Sequence, residues 1–190
     1  MTLCKSNEYQ FAIMRLIIRD DYEQVSDYVA RYVKRRIIDL KPTAEKPFVL
    51  GLPTGSSPIG TYRKLIEYHQ RGELSFQNVI TFNMDEYVGL LRDHPESYHT
   101  FMWNTFFKHI DIKPENVHLL DGNATDLQAE CDKYEQSIVN AGGIELFLAG
   151  IGPGILQLMS FLSDLSRWSY CFQRAWILTL FKNTCEDIES

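Results

Sequence analysis

Cysteine is scarce in this chain, with four among 190 residues and no C-x-x-C pair. The four lie far apart, at Cys4, Cys131, Cys171 and Cys185. Scattered thiols are typical of a reducing compartment and exclude a disulfide scaffold and a cysteine-rich zinc site. Long hydrophobic runs are also missing, because Arg15 interrupts the apolar stretch from Phe11 to Ile18, which is too short for a signal sequence or a membrane span. We therefore predict a cytoplasmic protein that does not enter a membrane.

The chain has fewer basic residues than acidic ones. The 19 lysines and arginines are outnumbered by 25 aspartates and glutamates, which gives a formal net charge of −6. No global positive field is available to hold a nucleic acid, so we expect no nucleic-acid partner. Apolar residues make up 45% and charged residues 23%, the ordinary mixture of a globular protein with a hydrophobic core.

Glycine, proline and histidine are absent from the end of the chain. All 11 glycines, 7 prolines and 5 histidines lie at or before Gly154, whereas the remainder holds two of the three tryptophans and the apolar block Ala175–Phe181. An α/β domain needs glycine at its turns and helix ends throughout. Two interpretations follow: a long terminal helical segment, or residues that were not selected to belong to this fold.

Before that point, apolar runs typical of strands alternate with amphipathic segments typical of helices. The patterns predict strands at 14–18, 48–52, 79–82, 117–120 and 144–149, and helices at 22–37, 58–70, 97–109 and 125–140. Thr125 and Gln128 form a capping-box pattern at the start of the last helix. The alternation indicates an α/β fold, a Rossmann-like open, mostly parallel sheet with helices on both faces, in which ligands bind at the carboxyl ends of the strands. Residues 1–13 would precede this domain as a leader.

The segment Gly51–Pro58 lies between a predicted strand and a predicted helix. Its small residues let the backbone approach a ligand closely. Backbone N–H groups at the helix start, together with the hydroxyls of Thr54, Ser56 and Ser57, can bind a phosphate. The spacing alone fits equally well a tight turn that holds no ligand.

An acidic pair, Asp85 and Glu86, follows the next strand. A carboxylate at that position, flanked by apolar residues, can act as a general base when its pKa is raised. A solvated acidic turn or a helix cap is the more common outcome for such a pair. The residues by themselves leave both interpretations open.

Two further segments are candidates for parts of a site. Asp93–His99 holds two histidines and two acids, but Pro95 breaks the helical spacing that facing metal ligands would need. We therefore expect a structured loop there and no metal site. Leu146–Pro153 is a strand that runs into a glycine-containing loop, the expected second wall of a site at the carboxyl edge of the sheet.

Six blocks of sequence together resemble the glucosamine-6-phosphate deaminase family: LGLPTGSSP, TFNMDEYVGL, DHPESYH, FMWNTFFKHIDI, LLDGNA and GGIELFLAGIGP. The likeness runs from Met14 to Pro153 almost without gaps. It implies an enzyme that converts glucosamine 6-phosphate into fructose 6-phosphate and ammonia, needs no metal or redox cofactor, and forms homo-oligomers. Asp85 matches the aspartate that moves a proton between C2 and C1 of the sugar. The loop that holds the sugar phosphate is matched by Thr54, Gly55, Ser56 and Ser57.

The resemblance stops after Pro153. The family continues with D-G-H-I-A-F-N-E, whose histidine helps to open the sugar ring, whereas this chain continues Gly154-Ile-Leu-Gln-Leu-Met-Ser160. One permitted codon set for that segment, GGC ATA TTG CAG TTA ATG AGC, encodes His-Ile-Ala-Val-Asn-Glu when it is translated two nucleotides later. We therefore interpret residues 154–190 as an aberrant, out-of-frame apolar tail, and residues 14–153 as a partial domain whose C-terminal strands are missing.

Three functions stay open at this point. The leading one is glucosamine-6-phosphate deaminase by ancestry, catalytically impaired because the ring-opening residues are absent. The second is a non-catalytic product that binds a sugar phosphate or pairs with intact subunits. The third is a related sugar-phosphate isomerase or a 6-phosphogluconolactonase, against which the MDEYVGL block argues.

Overall fold

Helices and parallel strands alternate along the chain. The computed structural model describes residues 17–150 and the backbone of residues 176–180. The described helices are α1 (Tyr22–Leu40), α2 (Ile59–Gln70), α3 (Tyr98–Thr105) and α4 (Leu127–Asn140). The described strands are β1 (Phe48–Leu52), β2 (Val79–Asn83), β3 (Val117–His118), β4 (Leu146–Gly150) and β5 (Trp176–Leu180). Short 3-10 helices at Phe107–His109 and Pro114–Asn116 connect α3 to β3.

The described strands form one sheet in the order β3-β2-β1-β4-β5, and every pairing among them is parallel. Leu52, the last residue of β1, pairs with Asn83, the last residue of β2. The two strands therefore end at the same level, and the segments that follow them leave the sheet side by side at its carboxyl edge. The predicted α/β class with a parallel sheet is confirmed.

Hydrophobic clusters cover both faces of the sheet. Leu50 and Leu52 are buried on one face together with residues of α1, α2 and α3. Val49 and Phe82 pack on the other face with Ile138 of α4. Successive side chains of a strand point to opposite faces, so the central strands contribute to both clusters. The predicted placement of helices on both faces is confirmed, and none of the described helices is long and apolar enough to cross a membrane.

Aspartate side chains determine where the two longest described helices begin. Asp21 precedes α1 and accepts a hydrogen bond from the backbone N–H of Gln24 at 2.8 Å. Asp126 precedes α4 and accepts one from the backbone N–H of Ala129 at 3.0 Å. The predicted capping box is therefore wrong by one position, because Asp126 and not Thr125 is the N-cap.

Two other predicted elements are clearly shorter in the structure. The helix predicted over 97–109 ends at Thr105, because Phe106 leaves helical geometry with φ at −138°. Phe106 and Phe107, which follow this break, are both buried. The strand predicted over 117–120 contains only two residues, which pair with Thr81 and Phe82 of β2.

Three predictions concern the ends of the chain: a strand over 14–18, a leader over 1–13 and a helical terminal segment. Ile18 is 77% exposed and belongs to no strand, so the strand predicted over 14–18 is wrong at that end, whereas residues 14–16 and the leader 1–13 lie outside the described residues. Trp176–Leu180 forms a strand parallel to β4, which contradicts a helical segment at those positions. The rest of the segment 154–190 lies outside the described residues.

Candidate active site

The loop that joins β1 to α2 faces solvent and has room for a ligand. Gly55 and Ser56 are exposed, and Thr54 and Ser57 are half-buried. Gly55 has a φ of +88°, a conformation that side chains rarely adopt, and nothing lies within 4 Å of where a Cβ atom would be. The positive end of the α2 dipole follows directly, because α2 begins at Ile59. This loop can accept an anion of phosphate size.

Hydrogen bonds from three elements hold the loop in place. The hydroxyl of Tyr22, the first residue of α1, accepts from the backbone N–H of Gly60 at 2.7 Å and lies 3.0 Å from the carbonyl of Ser57. The hydroxyl of buried Tyr62 donates to the carbonyl of Pro53. The side-chain amide of Asn83, at the end of β2, donates to the carbonyl of Leu52 at 3.0 Å. The loop is therefore preorganised before any ligand arrives.

Asp85 lies in the segment that leaves the neighbouring strand β2. Its side chain is open to solvent, yet the surrounding protein atoms remove part of its hydration, which raises the pKa of the carboxyl group. The negative charge of Glu86 raises the same pKa further. Both effects make Asp85 a better proton acceptor than an ordinary aspartate.

Glu86 has a different role from its neighbour. Its carboxylate accepts the backbone N–H groups of Tyr98 and His99, the first two residues of α3, each at 2.9 Å. The helix-cap interpretation is therefore confirmed for Glu86, although the helix lies twelve residues further along the chain. Asp85 takes no part in this cap and stays available at the surface.

Tyr98 links the two predicted parts of the site, although it was not among the predicted site residues. Its ring packs against that of Tyr87 at a centroid distance of 4.7 Å. Interaction with the Tyr87 hydroxyl, burial and the charge of Asp85 raise the pKa of Tyr98 to about 12, while the side chain of Thr54 has the opposite effect. Tyr98 is thus close to both Thr54 of the loop after β1 and Asp85 of the acidic pair. The one feature of the sequence that could have indicated Tyr98 is its position within the DHPESYH block.

The segment after β3 forms hydrogen bonds with the loop that carries Asp85. Gly89 donates its backbone N–H to the carbonyl of Gly122 at 2.9 Å, and the side-chain amide of Asn123 donates to the carbonyl of Leu90. A Cβ atom on Gly122 would lie 2.0 Å from the carbonyl oxygen of Tyr87, so only glycine fits there. The TFNMDEYVGL block therefore contacts both the LLDGNA block and the DHPESYH block.

The loop that precedes α3 is structured by its own hydrogen bonds, as predicted. His94 Nδ1 accepts from the backbone N–H of Glu96 at 3.1 Å, and Ser97 caps α3 by accepting from Thr100 N at 3.0 Å. Burial and the nearby charge of Arg92 lower the pKa of His99, whereas the charge of Glu86 opposes that shift. Among residues 17–150 no group of three His, Cys, Asp or Glu side chains could hold a metal ion.

A groove of about 400 Å³ lies away from these residues. Its lining includes Pro42 and Asn78, which precede β1 and β2, together with His69 and Asp111. It is therefore at the amino edge of the sheet and contains none of the predicted site residues.

The family profile described as glucosamine-6-phosphate isomerases/6-phosphogluconolactonase matches residues 20–154. The chain belongs to this family. The matched range includes both the loop after β1 and Asp85.

Proteins similar to this chain include glucosamine-6-phosphate deaminases from animals and bacteria. Over 140 residues, 74% of its length, the chain is 67% identical to glucosamine-6-phosphate deaminase 1 of Homo sapiens. It is also 67% identical to the glucosamine-6-phosphate deaminase of Parabacteroides distasonis. The match covers 48% of the human protein and 52% of the bacterial one, so the chain spans about half the length of the curated relatives it matches.

Solved structures of this family share the fold. A monomeric glucosamine-6-phosphate deaminase superposes with a TM-score of 0.68 at 45% identity, over 73% of this chain and 56% of that one. The 6-phosphogluconolactonase of Thermotoga maritima superposes with a TM-score of 0.58 at 22% identity, over 72% of this chain and 58% of that one. The likeness to the lactonase is one of fold.

Proposed function

We propose that residues 17–150 carry part of a glucosamine-6-phosphate deaminase site and bind glucosamine 6-phosphate. The observation that carries this proposal is the register of β1 and β2, which end together at Leu52 and Asn83. Thr54 and Asp85 each follow two residues later, at the same edge of the sheet. A phosphate-binding loop and a carboxylate with a raised pKa are therefore neighbours.

The phosphate group would occupy the turn from Thr54 to Ser57. Free backbone N–H groups of a glycine-containing turn, serine and threonine hydroxyls and the positive end of α2 all favour a dianion. With the phosphate held there, the carbon chain of the sugar can extend toward Asp85. A binding site that preorganises one end of the substrate lowers the cost of orienting the other end.

Asp85 would act on the opposite end of the sugar. In the open-chain aldehyde its carboxylate accepts the proton of C2 while the C1 carbonyl oxygen takes up a proton from solvent and a double bond forms between C1 and C2. Asp85 then returns its proton to C1 while the C2 amino group gives up one proton to solvent, which leaves an imine at C2. Water adds to that imine, releases ammonia and forms the ketone of fructose 6-phosphate. The raised pKa of Asp85 suits a group that must both accept and return a proton. The overall reaction is a hydrolysis of a C–N bond.

Residues 154–160 lack the histidine and acids that the family uses to open the sugar ring. We infer that the chain binds the sugar phosphate but turns it over slowly or not at all. A sugar-phosphate-binding or subunit-pairing product is therefore the second candidate function. The scattered cysteines support a cytoplasmic location, and homo-oligomer formation is proposed from the family resemblance.

Binding and turnover can be measured separately on the 190-residue chain. Glucosamine 6-phosphate should raise the melting temperature, with a stabilisation of about 2.7 kcal/mol at a concentration one hundred times Kd. Glucosamine without phosphate and 6-phosphogluconate serve as comparison ligands. Replacing Ser56 and Ser57 together by alanine should weaken the effect of glucosamine 6-phosphate, whereas Ser137→Ala on α4 should leave it unchanged.

Ammonia release from glucosamine 6-phosphate distinguishes the candidate functions. A melting shift without ammonia release supports the binding role. Release at the rate of a full-length deaminase would contradict the proposed impairment. The absence of any shift with glucosamine 6-phosphate would overturn the proposed function itself, and a larger shift with 6-phosphogluconate would favour the lactonase alternative.

A further inference from the structure

The carboxylate of Glu86 accepts three backbone N–H groups. Oε1 accepts from Tyr87 and from Tyr98, each at 2.9 Å, and Oε2 accepts from His99 at 2.9 Å. Hydrogen bonds to an ionised carboxylate are stronger than those between neutral groups. One side chain thus joins its own loop to the start of a helix that lies twelve residues further along the chain.

Capping alone does not explain this arrangement. Ser97 is already the N-cap of α3, and its hydroxyl accepts the N–H of Thr100 at 3.0 Å. Glu86 satisfies the two N–H groups that Ser97 leaves free, and it does so from a different segment. Its additional effect is to fix the Asp85–Tyr87 segment against α3.

The fixed geometry brings two side chains of the proposed site together. Asp85 precedes Glu86, and Tyr98 is the first residue of α3, so the Glu86 carboxylate holds the backbone of both. Tyr87, whose own N–H is bound by Glu86, packs its ring on Tyr98 at 4.7 Å. The titratable groups that interact with Asp85 are Glu86, Tyr98 and Tyr134.

We propose that Glu86 is a positioning residue, whose carboxylate sets Asp85 relative to Tyr98 and the phosphate-binding loop by fastening the Asp85 segment to the start of α3. This inference rests on the proposed function for its consequence in ligand binding. The effect of Glu86 on Asp85 is a property of the chain alone, so it holds whether or not the ligand is glucosamine 6-phosphate.

Two substitutions distinguish the effect of the negative charge of Glu86 from the effect of its side-chain length. Glu86→Gln keeps the length of the side chain but loses the charge and one acceptor oxygen, whereas Glu86→Asp keeps the charge but is too short to reach α3. Asp126→Asn is the matched control, since it also removes a helix-capping carboxylate, at the start of α4. All are compared in the 190-residue chain.

Three measurements apply to each variant. Amide hydrogen exchange reports the N–H groups of Tyr98 and His99. Carbon-detected NMR of labelled aspartate, assigned with Asp85→Asn, reports the titration of Asp85. A thermal-shift titration reports the affinity for glucosamine 6-phosphate.

In both Glu86 variants we expect faster exchange at Tyr98 and His99 and a lower pKa of Asp85. Affinity for glucosamine 6-phosphate should fall about tenfold, the factor that corresponds to the loss of one charge-assisted hydrogen bond. Asp126→Asn removes the charge at the start of α4 while its amide oxygen can still cap the helix, so it should lower the melting temperature only slightly and leave the Asp85 titration unchanged.

An Asp85 titration that is the same in both Glu86 variants as in the unmodified chain would overturn the inference. If the unmodified chain does not bind glucosamine 6-phosphate, the proposed function fails, but the titration and the exchange data still decide the role of Glu86. A response of Asp85 in Asp126→Asn as large as in the Glu86 variants would assign the effect to general loosening, which also contradicts the inference.

Discussion

The hydroxyl of Tyr22 accepts a hydrogen bond from the backbone N–H of Gly60 at 2.7 Å and so joins the start of α1 to the first turn of α2. The same hydroxyl lies 3.0 Å from the carbonyl of Ser57. Gly60 has no room for a side chain, because a Cβ atom would lie 2.3 Å from the hydroxyl oxygen of Ser26. The close approach of α1 and α2 therefore sets the position of the proposed phosphate-binding loop.

Tyr22→Phe removes this hydroxyl and leaves the ring in place. We expect a loss of about 1 kcal/mol in the free energy of unfolding, because a partly buried N–H group loses its partner. The melting shift produced by glucosamine 6-phosphate should also decrease. Tyr32→Phe is the control, since Tyr32 packs on the same core and its hydroxyl has no hydrogen bond within the described residues. Equal effects of the two substitutions would contradict a role for Tyr22 in shaping the loop.

Asp85→Asn should stabilise the folded chain at neutral pH. The folded state raises the pKa of Asp85 above its unfolded value, so ionisation of this group favours the unfolded state. The stabilisation from Asn should be full above the folded pKa of Asp85, decrease as the pH falls through it, and disappear below the unfolded pKa. Melting temperatures between pH 4 and pH 8 measure the effect, and Asp93→Asn in an exposed loop controls for net charge. A destabilisation at pH 8 would contradict the cited shift.

Gly122→Ala should displace the loop that carries Asp85. The new Cβ atom would lie 2.0 Å from the carbonyl oxygen of Tyr87, and since that atom is backbone the loop must move. We expect a cost of about 1 to 3 kcal/mol in the free energy of unfolding, as in other overpacked sites. The titration of Asp85 should change as well.

Gly51→Ala provides the comparison for this substitution. Its Cβ atom would meet the ring of Phe147 at 2.1 Å, so it also overpacks the folded state, but against β4 rather than the Asp85 loop. A changed Asp85 titration in Gly51→Ala and an unchanged one in Gly122→Ala would show that the support from Gly122 is unimportant.

Local sequence patterns predicted the central part of the fold well. The continuous apolar run Phe48–Leu52 has the bounds of β1, because Pro47 and Pro53 flank a segment that is buried on both faces. At the start of α4, Thr125 and Asp126 are both good capping residues, so the pattern alone did not distinguish them. The path of the chain into the helix selects Asp126.

The order of the strands and the positions at which they end also explain why part of the site could be predicted. The segment Gly51–Pro58 and the pair Asp85 and Glu86 each follow a buried strand, and parallel pairing places such segments at one edge. The choice of Thr54, Gly55, Ser56, Ser57 and Asp85 within them came from the family resemblance. Tyr98 and the cap formed by Glu86 depend on a contact between segments twelve residues apart. Periodicity and local spacing carry no information about such a contact. The raised pKa of Asp85 likewise depends on surrounding atoms that only the folded chain brings together.

His118 should make the fold sensitive to mild acid. Its ring stacks on Phe82 at a centroid distance of 4.5 Å, and burial lowers its pKa below the ordinary value of 6.5. As the pH falls through 6.5 the unfolded chain is protonated first, so the stability contributed by neutral His118 is present above that pH and is lost as the pH falls toward the folded pKa. His118→Phe keeps an aromatic ring on Phe82 and cannot be protonated. Its melting temperature should therefore decrease less between pH 7 and pH 5.

The comparison is best made in the Asp85→Asn background, because the protonation of Asp85 changes stability in the opposite direction. His99 also has a lowered pKa and accounts for part of the acid sensitivity that remains. A decrease of the melting temperature that is equal with and without His118 would show that its burial contributes nothing to the pH dependence. A smaller decrease in His118→Phe would assign that part of the acid sensitivity to the stacked ring, on the strand next to the one that precedes Asp85.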